Sequence, residues 1–223
     1  MPKFHRVYDD MLPSDLCKRV IETFEKDTEG QVKGRLLDRE VRYDRKNCTD
    51  LGIGLRLSQG GEAKKLWEDI DGEIYKCVAK SWELFQNDSQ GLSMLSSVEL
   101  ADTGYQIQRY EPNEGLFAPH IDSGSIDSAF RIAAAVIYFN TVKEGGGTRF
   151  PEWDETVDAV EGRILWFPAG WTHIHEGLVP LSGRKYIAST FMCFKGYGLL
   201  DRVNGPCYQH IMQSIAHAQS PSA

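Results

Sequence analysis

Trp166-Phe-Pro-Ala-Gly-Trp-Thr-His-Ile-His175-Glu-Gly177, followed shortly by Ser182-Gly-Arg-Lys-Tyr-Ile-Ala188, is the stretch on which the reading of this chain turns. An apolar run closes on Pro168-Ala169-Gly170, two histidines follow in alternation, and a second apolar run opens behind two cations. Short apolar or alternating segments cut by Gly and Pro are the pattern of strands and tight turns, not of helices. The same pattern extends in both directions, over Ser97–Leu100, Tyr105–Tyr110, Ile132–Phe139, Thr156–Val160, Ile164–Phe167 and Tyr186–Phe194. From about residue 91 to 200 the chain therefore reads as β structure, with Gly145-Gly146-Gly147 as a turn or a close backbone approach.

Upstream the period changes. Leu16, Cys17, Val20, Ile21 and Phe24 share one face of a helix that starts near Pro13, with Ser14 as its cap. Leu66, Ile70, Ile74, Val78 and Phe85 mark a second helix over about 62–85. Residues 30–61 hold many charged and glycine residues and few apolar ones, which predicts a loop or an edge strand over a site entrance. The expectation is one domain over residues 1–223: a helical support region to residue 90, a β core over 91–200 and a C-terminal helix or tail over 201–223.

With 41% hydrophobic and 26% charged residues the composition is that of an ordinary folded protein, and its net charge of −7 makes nucleic acid an unfavoured partner. The charged N-terminal segment and the lack of any long apolar run predict neither secretory leader nor membrane span. Five scattered cysteines with no C-x-x-C pair read as free thiols in the cytoplasm. The oligomeric state is not encoded in any feature of the sequence.

The chemistry lies in three places. In an extended segment residues i and i+2 point to one side, so His120 and Asp122 can offer an imidazole nitrogen and a carboxylate oxygen to one ion. Fifty-five residues on, His175 or His173 supplies a second imidazole. Two histidines and one carboxylate on one face, with positions left open, form the ligand set of non-haem Fe(II) oxygenases. Ten residues past His175 stands Lys185, with Arg184 beside it. A cation in a water-poor pocket pairs strongly with a carboxylate, which fits a dicarboxylic co-substrate.

Taken together, His120-x-Asp122, Gly146-Gly147-Thr148-Arg149-Phe150, His175-Glu176-Gly177 and Gly183-Arg184-Lys185-Tyr186 resemble the prolyl 4-hydroxylase-like branch of the 2-oxoglutarate and Fe(II)-dependent oxygenases. The resemblance covers about residues 105–194 in the right order. It implies a mainly β fold with flanking helices, a double-stranded β-helix or jelly-roll barrel of cupin type. It implies Fe(II) on His120, Asp122 and His175, because the family places a glycine two residues past the distal ligand and Gly177 meets that condition. It further implies 2-oxoglutarate held by Lys185, or by Arg184 as in some relatives. Tyr138 stands where relatives bond the same carboxylate, and Tyr110 is the other tyrosine candidate. O2 is the oxidant and ascorbate a candidate reductant. The implied reaction is C–H hydroxylation of a peptidyl proline, an amino acid or a small metabolite, with release of succinate and CO2. The alternatives are a non-oxygenase metal-dependent cupin enzyme, which needs no cation after the last histidine, and a non-catalytic sensing module on the same barrel.

The remaining residues read as structure. His5, His210 and His217 lack partner spacing and are expected at the surface, and Trp153, Trp166 and Trp171 are expected in the core or at a groove rim.

Overall fold

The computed structural model describes residues 3–36, 40–95 and 99–194. Among these described residues four α-helices come early: α1 Ser14–Lys26, α2 Ile53–Gln59, α3 Gly61–Asn87 and α4 Gln90–Ser93. Five short strands are threaded among and after them: β1 Arg6–Tyr8, β2 Val32–Lys33, β3 Lys46–Asn47, β4 Thr49–Gly52 and β5 Leu100–Asp102. The rest is β: β6 Gln106–Tyr110, β7 Leu116–His120, β8 Arg131–Tyr138, β9 Thr148–Phe150, β10 Glu155–Val157, β11 Ile164–Pro168, β12 His175–Gly177 and β13 Lys185–Phe194. Among the described residues no helix is long and apolar enough to cross a membrane.

Two antiparallel sheets result. The larger has eight strands in the order β1-β11-β8-β13-β6-β4-β2, with β5 also on β13, and the smaller has five in the order β10-β9-β12-β7-β3. Side-chain alternation divides the large sheet cleanly. On β8, Ala133, Ala135 and Ile137 join a core with α1 and α3, while Ala134, Val136 and Tyr138 face a second core between the sheets. On β11, Ile164 and Trp166 go to the helices, and Leu165 and Phe167 go inward. With both faces covered, β8 reads as the continuous apolar run seen in the sequence.

The helices match the expected stripes with two corrections. Pro13, not Ser14, occupies the N-cap of α1, where its extended backbone (φ −61°, ψ 144°) suits the position and Ser14 is the first helical residue. On α3 the buried stripe starts at Trp67, whereas Leu66 is 42% exposed. Both residues neighbour Ile70, at i−4 and i−3, so spacing alone does not choose between them.

Residues 30–61 form more than a loop. Their short strands β2 and β3 are the outer strands of the large and small sheets, so the segment borders both sheets at one end. The expected strand at Ser97–Leu100 starts at Leu100, with 96–98 outside the described residues, and the one expected over Thr156–Val160 is Glu155–Val157. The helix or tail expected over 201–223, with His210 and His217, lies outside the described residues. Cys17, Cys48, Cys77 and Cys193 are free thiols. The glycine run is a turn whose Gly145 and Gly146 have φ of 70° and 71°, and a Cβ on Gly145 would run into the carbonyl oxygen of Val179.

Candidate active site

A cavity of about 770 Å³ opens between the two sheets, and His120, Asp122, His175, Lys185 and Tyr110 all line it. The histidines come from neighbouring strands of the small sheet. β7 and β12 pair antiparallel with His120 directly opposite His175, and the register shifts between His175 and Gly177. Asp122 follows the end of β7, its main-chain N–H donating to Ala169 O at 3.2 Å and its carbonyl accepting from Arg131 at 3.0 Å. The loop carrying the carboxylate is thereby tied to β8 and to the residue that follows β11.

His120 Nε2 lies 3.7 Å from Asp122 Oδ1, and His175 Nε2 lies 3.4 Å from Asp122 Oδ2. One ligand atom from each of the three residues falls within 4.8 Å of the others. Adjacent ligands of an octahedral ion at bond lengths of about 2.1 Å stand about 3 Å apart, so this set needs little movement to close on a cation. The far side of each ring settles which nitrogen faces inward. His120 Nδ1 bonds Ala118 O at 2.9 Å and His175 Nδ1 bonds His173 O at 3.0 Å. A carbonyl only accepts, so each Nδ1 carries the proton and each Nε2 presents a bare lone pair to the centre.

The rings are clamped as well. Phe117 stacks on His120 at 3.6 Å between centroids, and Phe167 meets His175 edge-on at 4.5 Å. Burial holds the His120 imidazole well below its ordinary pKa, with the nearby His175 adding to the effect, and burial raises the Asp122 carboxyl. Neutral imidazoles and a desolvated carboxylate are the state in which a divalent cation binds with the greatest relief. The donor set, the tautomers and the spacing thus fit Fe(II).

Lys185 opens β13 on the facing sheet and is 1% exposed. Its Nζ sits 4.3 Å from the Tyr110 ring centre and 3.5 Å from Leu178 O, and no carboxylate among the described residues pairs with it. Desolvation pushes its pKa down to about 8. A buried ammonium with no counter-ion among the described residues, in the same cavity as His120, Asp122 and His175, fits the distal carboxylate of 2-oxoglutarate. Arg184 does not share this place: half exposed, it pairs with Glu111 at 2.8 Å outside the cavity.

The two tyrosines also part. Tyr110 lines the cavity and donates to Gln108 at 2.8 Å. Tyr138 faces the same interior but does not line the cavity; its hydroxyl is bonded at 2.7 Å to Thr148, which does. The residue expected to touch the co-substrate is therefore set behind it. His173, the other distal-ligand candidate, lies outside the cluster, its ring 4.8 Å from Trp153 and its Nδ1 on Thr172 Oγ1, while its carbonyl orients His175. His5, expected at the surface, is buried and stacked on Phe150 at 4.6 Å, with Nε2 3.3 Å from Glu155. Trp166 is core and Trp171 is 78% exposed.

Sequence reasoning missed a buried pair in the cavity wall. Lys46 Nζ donates to Asp50 Oδ2 at 2.7 Å, and both residues are at most 5% exposed. Their i, i+4 spacing suggests a helical pair, yet they sit on β3 and β4.

The 2OG-Fe(II) oxygenase superfamily profile matches residues 105–193, the span that holds His120, Asp122, His175 and Lys185. The multifunctional procollagen lysine hydroxylase and glycosyltransferase of Caenorhabditis elegans is 38% identical over 88 residues, 39% of this chain and 12% of that protein. Procollagen-lysine,2-oxoglutarate 5-dioxygenase 1 of Bos taurus is 36% identical over the same share of each. This chain thus corresponds to only a small part of those relatives. Among solved structures, a Trichoplax adhaerens prolyl hydroxylase in complex with a hypoxia inducible factor peptide aligns with a TM-score of 0.66 at 18% identity, over 89% of this chain and 87% of that one. A Pseudomonas putida prolyl-4-hydroxylase aligns at 0.61 and 19%, over 86% and 93%. These likenesses establish the double-stranded β-helix fold. Residues 105–193 of this chain thus match the 2OG-Fe(II) oxygenase superfamily profile, and the fold is the one that the prolyl hydroxylases share.

Proposed function

We propose that this chain is a 2-oxoglutarate- and Fe(II)-dependent dioxygenase that hydroxylates a C–H bond of a peptide, an amino acid or a small metabolite, releasing succinate and CO2. One observation carries the reading: two Nε2 lone pairs and a carboxylate converge in a cavity to which the other sheet adds a buried ammonium that pairs with no carboxylate among the described residues. Bound Fe(II) with 2-oxoglutarate would supply the O2-activating chemistry, and the residues of this chain set its place. His120, Asp122 and His175 would hold the metal on one face. Lys185 would fix the distal carboxylate, with Tyr110 shielding the ammonium from water. The apolar walls, among them Val136, Phe167 and Phe191, would keep bulk water out.

Peptide substrates are supported by the hydroxylases that share the fold, one of which is solved with a peptide. Anaerobic addition of Fe(II) and 2-oxoglutarate should produce a weak visible charge-transfer band, and Asp122→Ala should lose both the band and iron-dependent succinate formation. Full turnover by Asp122→Ala would refute the assignment. A cupin enzyme of another kind would instead keep its activity in Lys185→Ala.

A further inference from the structure

The cavity holds a second buried cation that neither the metal nor the co-substrate uses. Lys46 lies on β3, its Nζ 5.3 Å from the centre of the Phe117 ring that stacks on His120. Its partner Asp50 is already filled, taking Lys46 on one oxygen and the Cys48 thiol, at 3.0 Å, on the other. An ammonium has three donors, and Lys46 meets no second acceptor among the described residues although it is only 5% exposed. Lys46 lines the cavity, near enough to Asp122 for the two charges to act on each other, and two of its donors meet no acceptor among the described residues. Further out on the same cavity stand Lys33 and Arg35, both exposed. Once Asp122 is given to the metal and Asp50 to Lys46, Asp127 is the acidic residue left among the described lining. In a chain of net charge −7 the described lining of this cavity thus holds five cations, Lys33, Arg35, Lys46, Arg131 and Lys185, against three acids.

We propose that the prime substrate carries a carboxylate that seats on Lys46 beside the metal centre, with Lys33 and Arg35 drawing it in from solvent. The proposal rests on the oxygenase reading, because Lys185 is counted as occupied by 2-oxoglutarate. A buried ammonium already neutralised by one carboxylate still gains from a second acceptor, since its unmatched donors are otherwise left without water. The exposed pair acts at longer range and is screened by salt.

The test uses the full chain loaded anaerobically with Fe(II) and 2-oxoglutarate, with the visible band as the check on loading. Calorimetric titrations compare acetyl-Gly-Glu-Pro-Glu-Gly-amide with its Gln and Lys counterparts, and N-acetylglutamate with N-acetylglutamine. The acidic member of at least one pair should bind about tenfold more tightly than its amide. Preference within the peptide pair would assign a peptide, and preference within the free pair a small acid. That preference should vanish in Lys46→Met/Asp50→Asn, which removes both charges together and leaves no carboxylate stranded. It should shrink in Lys33→Glu/Arg35→Glu and at high salt. Equal binding of acid and amide, tighter binding of the Lys peptide, no binding by either acid, or an acid preference that survives Lys46→Met/Asp50→Asn would overturn it. Absence of the band would instead overturn the oxygenase reading, and this proposal with it.

Discussion

Lys185 shows how one residue's surroundings set a measurable pH limit. Burial outweighs the opposing effect of Cys48 and brings its pKa from 10.5 to about 8, so without a dicarboxylate the side chain is a charged ammonium below that pH and a neutral amine above it. A bound dicarboxylate favours the charged form, so affinity for 2-oxoglutarate or for the inert analogue N-oxalylglycine should be flat below pH 8. Above it, affinity should fall by up to about tenfold per pH unit. Calorimetric titration between pH 6.5 and 9.5 checks this, and Lys185→Arg should remove the bend within that range. Residue-scale chemistry was legible where the participants fall within three positions, as His120-x-Asp122 and His175-Glu176-Gly177 do. Lys46 and Asp50 were not, because they belong to strands of two and four residues with no periodicity to read. His5 was not either, since its partners Phe150 and Glu155 lie some 150 residues away.

Among elements, the helical support depends on one buried acid. Asp27, at the end of α1, accepts two bonds from Arg56 of α2, each 2.7 Å, and one from Trp67 Nε1 of α3 at 2.8 Å. Asp27→Ala would take from the buried guanidinium its two-bond carboxylate, leaving it the Gln59 amide oxygen and Glu29 at 3.9 Å, at a cost of about 3 kcal/mol. Denaturant unfolding should register this as an earlier midpoint. Tyr138→Phe is the contrasting case. It removes the hydroxyl bonded to Thr148 and should cost about 1 kcal/mol of stability. Because Tyr138 does not line the cavity, 2-oxoglutarate affinity should be unchanged, whereas Tyr110→Ala, which strips the ring from above Lys185, should weaken it. The sequence could not separate these tyrosines, since a strand buried on both faces leaves no polar side by which to orient it. The phase of α3 was blurred in a similar way between Leu66 and Trp67, and only packing against the sheet resolves it.

For the whole molecule, the two sheets carry different halves of the site: the small sheet bears His120 and His175, the large sheet bears Lys185. A ligand that reaches from one to the other stabilises the folded state by mass action, about 2.7 kcal/mol at a hundred times its dissociation constant. Metal with N-oxalylglycine should raise Tm by more than either alone, and Lys185→Ala should remove the analogue's share. The same lysine shapes the pH profile of the unloaded protein. Its native pKa is depressed, so the unfolded chain binds the extra proton between about pH 8 and 10.5 and stability rises with pH across that window. The burial penalty, about 3 kcal/mol, is fully present below pH 8. Fold class was legible at this scale because the strand pattern repeats over a hundred residues; the division of labour between sheets was not, since strand order is invisible to local spacing. That division makes the loaded cavity a cross-tie between the two sheets. Slow digestion by a dilute protease should therefore follow occupancy, and the survival of each polypeptide would be coupled to the supply of iron and oxoacid around it.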